Sequence, residues 1–178
     1  MSKEGGFLKP EEVLDTLEIR EGMKIADFGC GSGYFTTSLA KRAGKGGVVY
    51  AVDVQQSALD SVRGRARLLF IFNIETIRAN LEKENGSTLK EKSIDMVVLA
   101  NILFQSSAKD AIIKEAKRVI HKNGKIVIIE WNENASLVSD LTYRITKDEM
   151  KKLAKDLGLV LEKEFKAGDS HYGLVFSL

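Results

Sequence analysis

A single cysteine, Cys30, and a single proline, Pro10, occur among 178 residues. One thiol excludes an intramolecular disulfide and any zinc site built from several cysteines, so no metal site is expected. No apolar run approaches the roughly 20 residues needed to span a bilayer. The polar start Met1–Gly6 has none of the pattern of a secretory leader, and the expected compartment is the cytoplasm. Net charge is nearly absent too, with 27 basic residues against 25 acidic ones, a formal +2. That balance gives no overall attraction to nucleic acid or to an anionic membrane, and neither partner is expected. There is no proline- or serine-rich linker, low-complexity tract or internal repeat, so residues 1–178 read as one domain. At that length, with hydrophobic residues at 44%, the chain can bury a substantial core.

What is present is an alternation of strand-like and helix-like stretches. Pro10 suits the first position of a helix, with Glu11 and Glu12 favouring its positive end. A strand over about 23–28 follows, then a helix with Phe35, Leu39, Ala40 and Ala43 on one face, ending at Lys41, Arg42 and Gly44. Val48–Asp53 reads as a second strand. Leu59, Val62, Ala66, Leu69 and Phe70 recur at helical spacing, which predicts a helix over about 56–70. Its Arg63, Arg65 and Arg67 read as a solvated face rather than a nucleic-acid patch. Asn73–Asn80 is a third expected strand, and the charged run 82–92 a surface loop or short helix. Ile94–Ala100 is continuously apolar, as in a parallel strand buried on both faces. Ser107 resembles a helix N-cap, with Ile112, Ile113, Ala116, Val119 and Ile120 on the core face. Lys117, Arg118, His121, Lys122 and Asn123-Gly124 read as that helix's end. Ile126–Ile129 is a fifth strand, 132–145 a loop, and Thr146 with Glu149 a capping box. Two last strands, 159–166 and 172–178, are close enough only for a hairpin, so that pair is antiparallel. The expected fold class is α/β, a doubly wound, mostly parallel sheet with one reversed strand.

One stretch carries the chemistry. Ile25–Phe28 ends in Gly29-Cys30-Gly31-Ser32-Gly33, and a helix starts at once. Glycines there supply positive φ and allow close approach of a ligand, and the helix N-terminus favours an anionic group. The dinucleotide fingerprint Gly-x-Gly-x-x-Gly is not completed, because its last position falls on Tyr34 or Thr36 depending on register. Asp53 stands at the end of the second strand, about 20 residues past Gly33, where a carboxylate can hold ribose hydroxyls. Asp27 reads as a stabiliser of the turn and Cys30 as a small turn residue.

Asp27–Gly33, Asp53 and the Asp95–Val98 strand resemble the class I S-adenosylmethionine-dependent methyltransferases. Gly124–Trp131 and the ending His171–Val175 resemble their small menaquinone/ubiquinone-methylase-like branch, a likeness running from about Pro10 to Leu178. The resemblance implies a Rossmann-like sheet of seven strands in the order 3-2-1-4-5-7-6, the last strand antiparallel. It implies S-adenosyl-L-methionine as cofactor, with S-adenosyl-L-homocysteine as product. Gly29, Gly31 and Gly33 would pass beneath its methionine and ribose, and Asp53 would hold the ribose. Val54 would pack on the adenine, Asn80 and Leu81 would meet its edge, and Ala100-Asn101 would line the methyl-donor end. Asp27 belongs to the same cofactor-binding motif.

Methyl transfer from a sulfonium is an in-line displacement, so the protein chiefly supplies alignment, and the acceptor is weakly written in sequence. A Pro-Pro-Tyr element after the fourth strand and a Pro-Cys nucleophile are both absent. Phe104-Gln105 stand where related quinone enzymes often place histidine. A small-molecule acceptor is expected, with Asn101, Gln105, Glu130, Trp131, Tyr143, His171 and Tyr172 as candidate groups on its side. His171 is the best candidate base, since an unperturbed imidazole titrates near neutrality, while an ordinary hairpin histidine is the plainer reading. An RNA or protein methyltransferase and a non-catalytic adenosyl-binding subunit stay open, as does the choice between monomer and homo-oligomer.

Overall fold

The computed structural model describes residues 8–132 and 143–178. The glycine-containing start through Phe7 and most of the expected 132–145 loop lie outside the described residues. The elements are α1 (Pro10–Leu14), β1 (Lys24–Phe28), α2 (Tyr34–Ala43), β2 (Val48–Asp53), α3 (Gln56–Leu68) and β3 (Ile74–Arg78). Then come β4 (Ile94–Ala100), a 3-10 turn (Leu103–Gln105), α4 (Lys109–Val119), β5 (Ile120–Trp131), α5 (Lys147–Asp156), β6 (Val160–Lys166) and β7 (His171–Ser177).

The seven strands form one sheet in the order β3-β2-β1-β4-β5-β7-β6, as the resemblance implied. The pairs β1/β2, β1/β4, β2/β3 and β4/β5 are parallel. β7 runs antiparallel to both β5 and β6. Successive residues of a strand face opposite ways, so each inner strand feeds two cores. Ile25, Val49, Met96, Val98 and Val127 pack with residues of α1 and α2, and Ala51 packs with Leu59 and Val62 of α3. Ala26, Phe28, Val97, Leu99 and Ile126 pack on the other face with α4 and α5. Complete burial of each such aliphatic side chain contributes about 1.5–3 kcal/mol. α5 opens as the sequence predicts: Thr146 Oγ1 accepts from Glu149 N at 3.2 Å, and Glu149 Oε2 accepts from Thr146 N at 2.8 Å.

Four expectations are corrected. α3 ends at Leu68, and Leu69 and Phe70 are exposed rather than on its core face. Phe70 N donates to Arg67 O and Ile71 N to Ala66 O, which closes the helix with Phe70 at φ +54°. Ser107 does not cap α4; Ala108 holds that position, and Ser106 Oγ accepts from Ala108 N at 2.9 Å. α4 stops at Val119, and His121 to Gly124 belong to an irregular start of β5. His121 Nε2 meets Asp95 Oδ1 at 2.8 Å and its Nδ1 accepts from Asn123 N, pinning that irregularity to β4. The 82–92 run forms turns without a helix, and it is not wholly superficial, because Ser87 and Leu89 are buried. Ser87 bonds the buried Glu115 through both its amide and its hydroxyl, and Arg118 Nη2 holds that carboxylate at 2.7 Å.

Candidate functional site

The C-terminal ends of β1, β2 and β4 open onto a cleft on either side of the glycine loop, where open α/β sheets place ligands. Two cavities share Gly29, Gly31 and Gln105 as lining. The first, about 370 Å³, adds Asp53, Val54, Ala79, Asn80, Leu81 and Ile102. The second, about 630 Å³, adds Leu8, Pro10, Tyr34, Phe35, Ala100 and Asn101. Among the described residues no lysine or arginine lines either one.

The three glycines do different work. All have positive φ: +74° at Gly29, +50° at Gly31 and +83° at Gly33. A Cβ on Gly29 would stand 2.5 Å from Ile102 Cδ1, and one on Gly33 2.9 Å from Val62 Cγ2. A Cβ on Gly31 would meet no protein atom within 4 Å. Gly29 and Gly33 are therefore demanded by packing, whereas the bare Gly31 backbone leaves room on the cleft side. Asp53 Oδ2 accepts from Gly31 N at 3.0 Å and Oδ1 from Gln55 N at 2.9 Å. Asp27, buried beneath the loop, accepts from Thr36 Oγ1 at 2.6 Å and so ties β1 to α2. Burial pushes its carboxyl up to about 6, against the lowering effect of the Thr36 bond. Burial also raises the Cys30 thiol, which leaves it unreactive as a nucleophile.

This lining fits an adenosyl group. Asp53 offers a fixed carboxylate suited to ribose hydroxyls, Val54 offers an apolar surface, Asn80-Leu81 lie beyond, and among the described residues no lysine or arginine lines the cavity to meet a pyrophosphate. Asn101 directly follows β4 at φ +55°, a conformation asparagine tolerates better than most residues. Its carbonyl accepts from Gln105 Nε2 at 2.7 Å, and its Oδ1 has no hydrogen-bond partner among the described residues.

Of the acceptor-side candidates, Asn101 and Gln105 line the larger cavity, and the others do not line either. Glu130 is 1% exposed; its Oε1 accepts from Leu103 N at 2.7 Å and from Phe104 N at 3.4 Å. It anchors the 3-10 turn that carries Gln105, and burial pushes its carboxyl up to about 7. Tyr172 is a core residue whose hydroxyl donates to Ile145 O at 3.1 Å. His171 is 2% exposed and stacks on Trp131 with ring centroids 4.0 Å apart. Burial pulls its imidazole down to about 4. Tyr143 is exposed, with Lys109 Nζ 5.4 Å from its ring.

Sequence reasoning missed Leu8, Pro10, Ile102, Glu82 and Ser106 as wall residues. Glu82 Oε1 accepts from Ser106 Oγ at 2.5 Å and closes the smaller cavity on one side. Glu82, directly after Asn80-Leu81, and Ile102, directly after Ala100-Asn101, carried a local signal.

A family model described as a methyltransferase domain matches residues 19–170. The ubiquinone/menaquinone biosynthesis C-methyltransferase of Laribacter hongkongensis is 33% identical over 122 residues, 68% of this chain and 48% of that protein. Its counterpart from Haemophilus ducreyi is 27% identical over 122 residues, 68% of this chain and 46% of that protein. The chain thus spans about half the length of the curated relatives it matches. A solved S-adenosylmethionine-dependent methyltransferase from Aquifex aeolicus superposes with a TM-score of 0.85 at 25% identity, covering 95% of this chain and 89% of that one. For a putative type 11 methyltransferase from Sulfolobus solfataricus the TM-score is 0.76 at 26% identity, covering 96% and 93%. The chain belongs to the class I S-adenosylmethionine-dependent methyltransferases, whose cofactor is S-adenosylmethionine, and it is similar to the ubiquinone/menaquinone C-methyltransferases over part of their length.

Proposed function

We propose that this methyltransferase acts on a small, partly apolar acceptor held in the larger cavity, beside Ala100 and Asn101. The observation that carries the reading is that cavity itself. Its volume of about 630 Å³ is within the range of small-molecule sites. Tyr34, Phe35, Leu8 and Pro10 offer apolar surface, while Asn101 and Gln105 supply polar ends. Among the described residues its lining holds no lysine or arginine to pair with a phosphate backbone, which favours a small acceptor over RNA. Relatives named as C-methyltransferases of quinone biosynthesis make a ring carbon a reasonable accepting atom.

The cofactor, when bound, supplies an electrophilic methyl group. On this reading Gly31 and Asp53 hold the adenosyl half, with Val54, Asn80 and Leu81 around the base. Gln105, shared by both cavities and fixed through Asn101 O, lies between donor and acceptor sides. Glu130 holds the turn beneath it. Their task is alignment and exclusion of water, which in-line displacement rewards strongly.

The test uses tritium-labelled S-adenosylmethionine and a cell extract separated into metabolite, RNA and protein fractions. Label transferred to the metabolite fraction is the expected result. Label in RNA or protein sinks the small-molecule reading. Cofactor binding with no transfer to any fraction points instead to a non-catalytic adenosyl-binding subunit.

A further inference from the structure

The end of α3 breaks two rules at once. Phe70 holds a left-handed backbone, φ +54°, at the position after a helix where glycine is usual. A bulky side chain is an outlier there, and such strain persists only where something else requires it. The core does not require it, because Phe70 is 80% exposed. Its neighbours Leu68 and Phe72 are 81% and 88% exposed, and Leu69 is exposed as well. Ile71 alone among these turns inward, packing with the α1/α2 core. Neither backbone preference nor folding accounts for four large apolar side chains projecting from one turn.

The turn carries basic residues on its helix side. Between Gln56 and Phe72 the chain has Arg63, Arg65 and Arg67 against Asp60, whereas Arg78 lies at the cleft end of β3, donating to Val54 O. Asp60 is taken by Arg63 at 2.9 Å, and Arg65 lies over the Tyr34 ring at 3.9 Å. Arg67 is exposed beside Leu68. Asn73 Nδ2 donates to Ala40 O at 2.9 Å and to Gly44 O at 2.8 Å. Those bonds bring the end of α2, with exposed Lys41 and Lys45, to the same end of the molecule. Glu75 lies on β3 after the turn, Glu21 packs at Gly44, and Glu11 of α1 is within electrostatic reach of Lys41.

We propose that the turn Leu68–Phe72, flanked by Arg67 and Lys45, docks on the surface of an anionic phospholipid bilayer. Projecting leucine and phenylalanine side chains beside basic residues are the composition of an interfacial anchor. The charge is complementary to anionic headgroups, whereas a second copy meeting this turn about a two-fold axis would set Arg67 near its own image. The absence of a spanning helix among the described residues is consistent with a surface contact. The sequence expectation of no membrane partner rested on overall charge and run length, and a local patch escapes both measures. α3 runs from the smaller cavity at Gln55 and Ala58 to this turn, about 20 Å for its length.

Flotation with vesicles of equal parts phosphatidylcholine and phosphatidylglycerol tests this, with pure phosphatidylcholine vesicles alongside. The protein should float with the anionic vesicles, less so as salt rises, and not with the neutral ones. The variant Phe70→Asn/Phe72→Ser should lose about tenfold or more of that binding. Its melting temperature should match or exceed wild type, since asparagine accepts the left-handed backbone and no buried contact is removed. Equal vesicle binding by the variant overturns the proposal, as does a wild type that floats with neither vesicle. A wild-type dimer in sedimentation that the variant abolishes, without vesicle binding, overturns it in favour of self-association.

Discussion

The carboxylate of Asp53 accepts the amide N–H of Gly31 at 3.0 Å, so the end of β2 and the glycine loop are fastened to each other. With Oδ1 held by Gln55 N, both oxygens have a fixed backbone donor and keep a lone pair for a ligand. On the proposed role, the side chain would lose little rotamer freedom in taking up ribose hydroxyls.

Asp53→Ala should weaken S-adenosylhomocysteine binding by about 1–3 kcal/mol, the scale of hydrogen bonds to a charged group. Asp53→Asn can accept through one atom only and should fall between. Isothermal titration calorimetry measures both. Unchanged affinity in the alanine variant would remove Asp53 from the site.

The glycine loop gives a sharper test, because its three positions fail for different reasons. Gly29→Ala and Gly33→Ala collide with Ile102 and Val62 and should cost stability, about 2 kcal/mol or more each. Gly31→Ala meets no atom and sits at φ +50°, so its stability cost should be about 1 kcal/mol. Its methyl group would project toward the ligand, so cofactor affinity should fall far more than stability. Melting temperature and cofactor affinity, measured on all three, would contradict this if they fell in parallel.

Much of this arrangement was legible because the signals are local. Ile94–Ala100 announces an inner strand by its own apolar run, and Thr146 with Glu149 writes a helix start within four residues. The short gap before His171 forces the reversed strand. What failed depends on distant partners. Ser87 is buried only because Glu115 and Arg118 of α4 receive it. Glu130 and Tyr172 stand at strand ends like ligand-binding residues, yet Leu103 N holds Glu130 Oε1 and Ile145 O takes the Tyr172 hydroxyl. Phe70 fits the helical period of α3, and period alone does not report that the backbone turns left-handed there.

Glu130 predicts a pH dependence of stability. Its carboxyl titrates at about 7 in the folded protein, against 4.5 as an ordinary glutamate. Between those values the folded chain keeps a proton that the unfolded chain has released, so stability falls as pH rises through the window. Glu130→Gln mimics the protonated acid and still accepts from Leu103 N. The variant should match wild type below the window and exceed it by about 2–3 kcal/mol above it. Denaturant titrations across the range check this; a constant difference at every pH would refute it.

His171 separates packing from catalysis. Its imidazole titrates at about 4 rather than 6.5, and both ring nitrogens lack hydrogen-bond partners among the described residues. Between those values the unfolded chain takes up a proton that the folded one refuses, so His171 costs stability as pH falls through that window. His171→Phe keeps a ring against Trp131 and removes two buried, unpartnered nitrogens. Stability should rise by about 1 kcal/mol near neutrality and by more toward acid. If the ring only packs, the turnover rate should stay within a few-fold of wild type. A base in the displacement would instead lose about a hundredfold or more in kcat, with its acid limb gone from the pH–rate profile. Stability gained together with turnover lost would place those nitrogens on the acceptor.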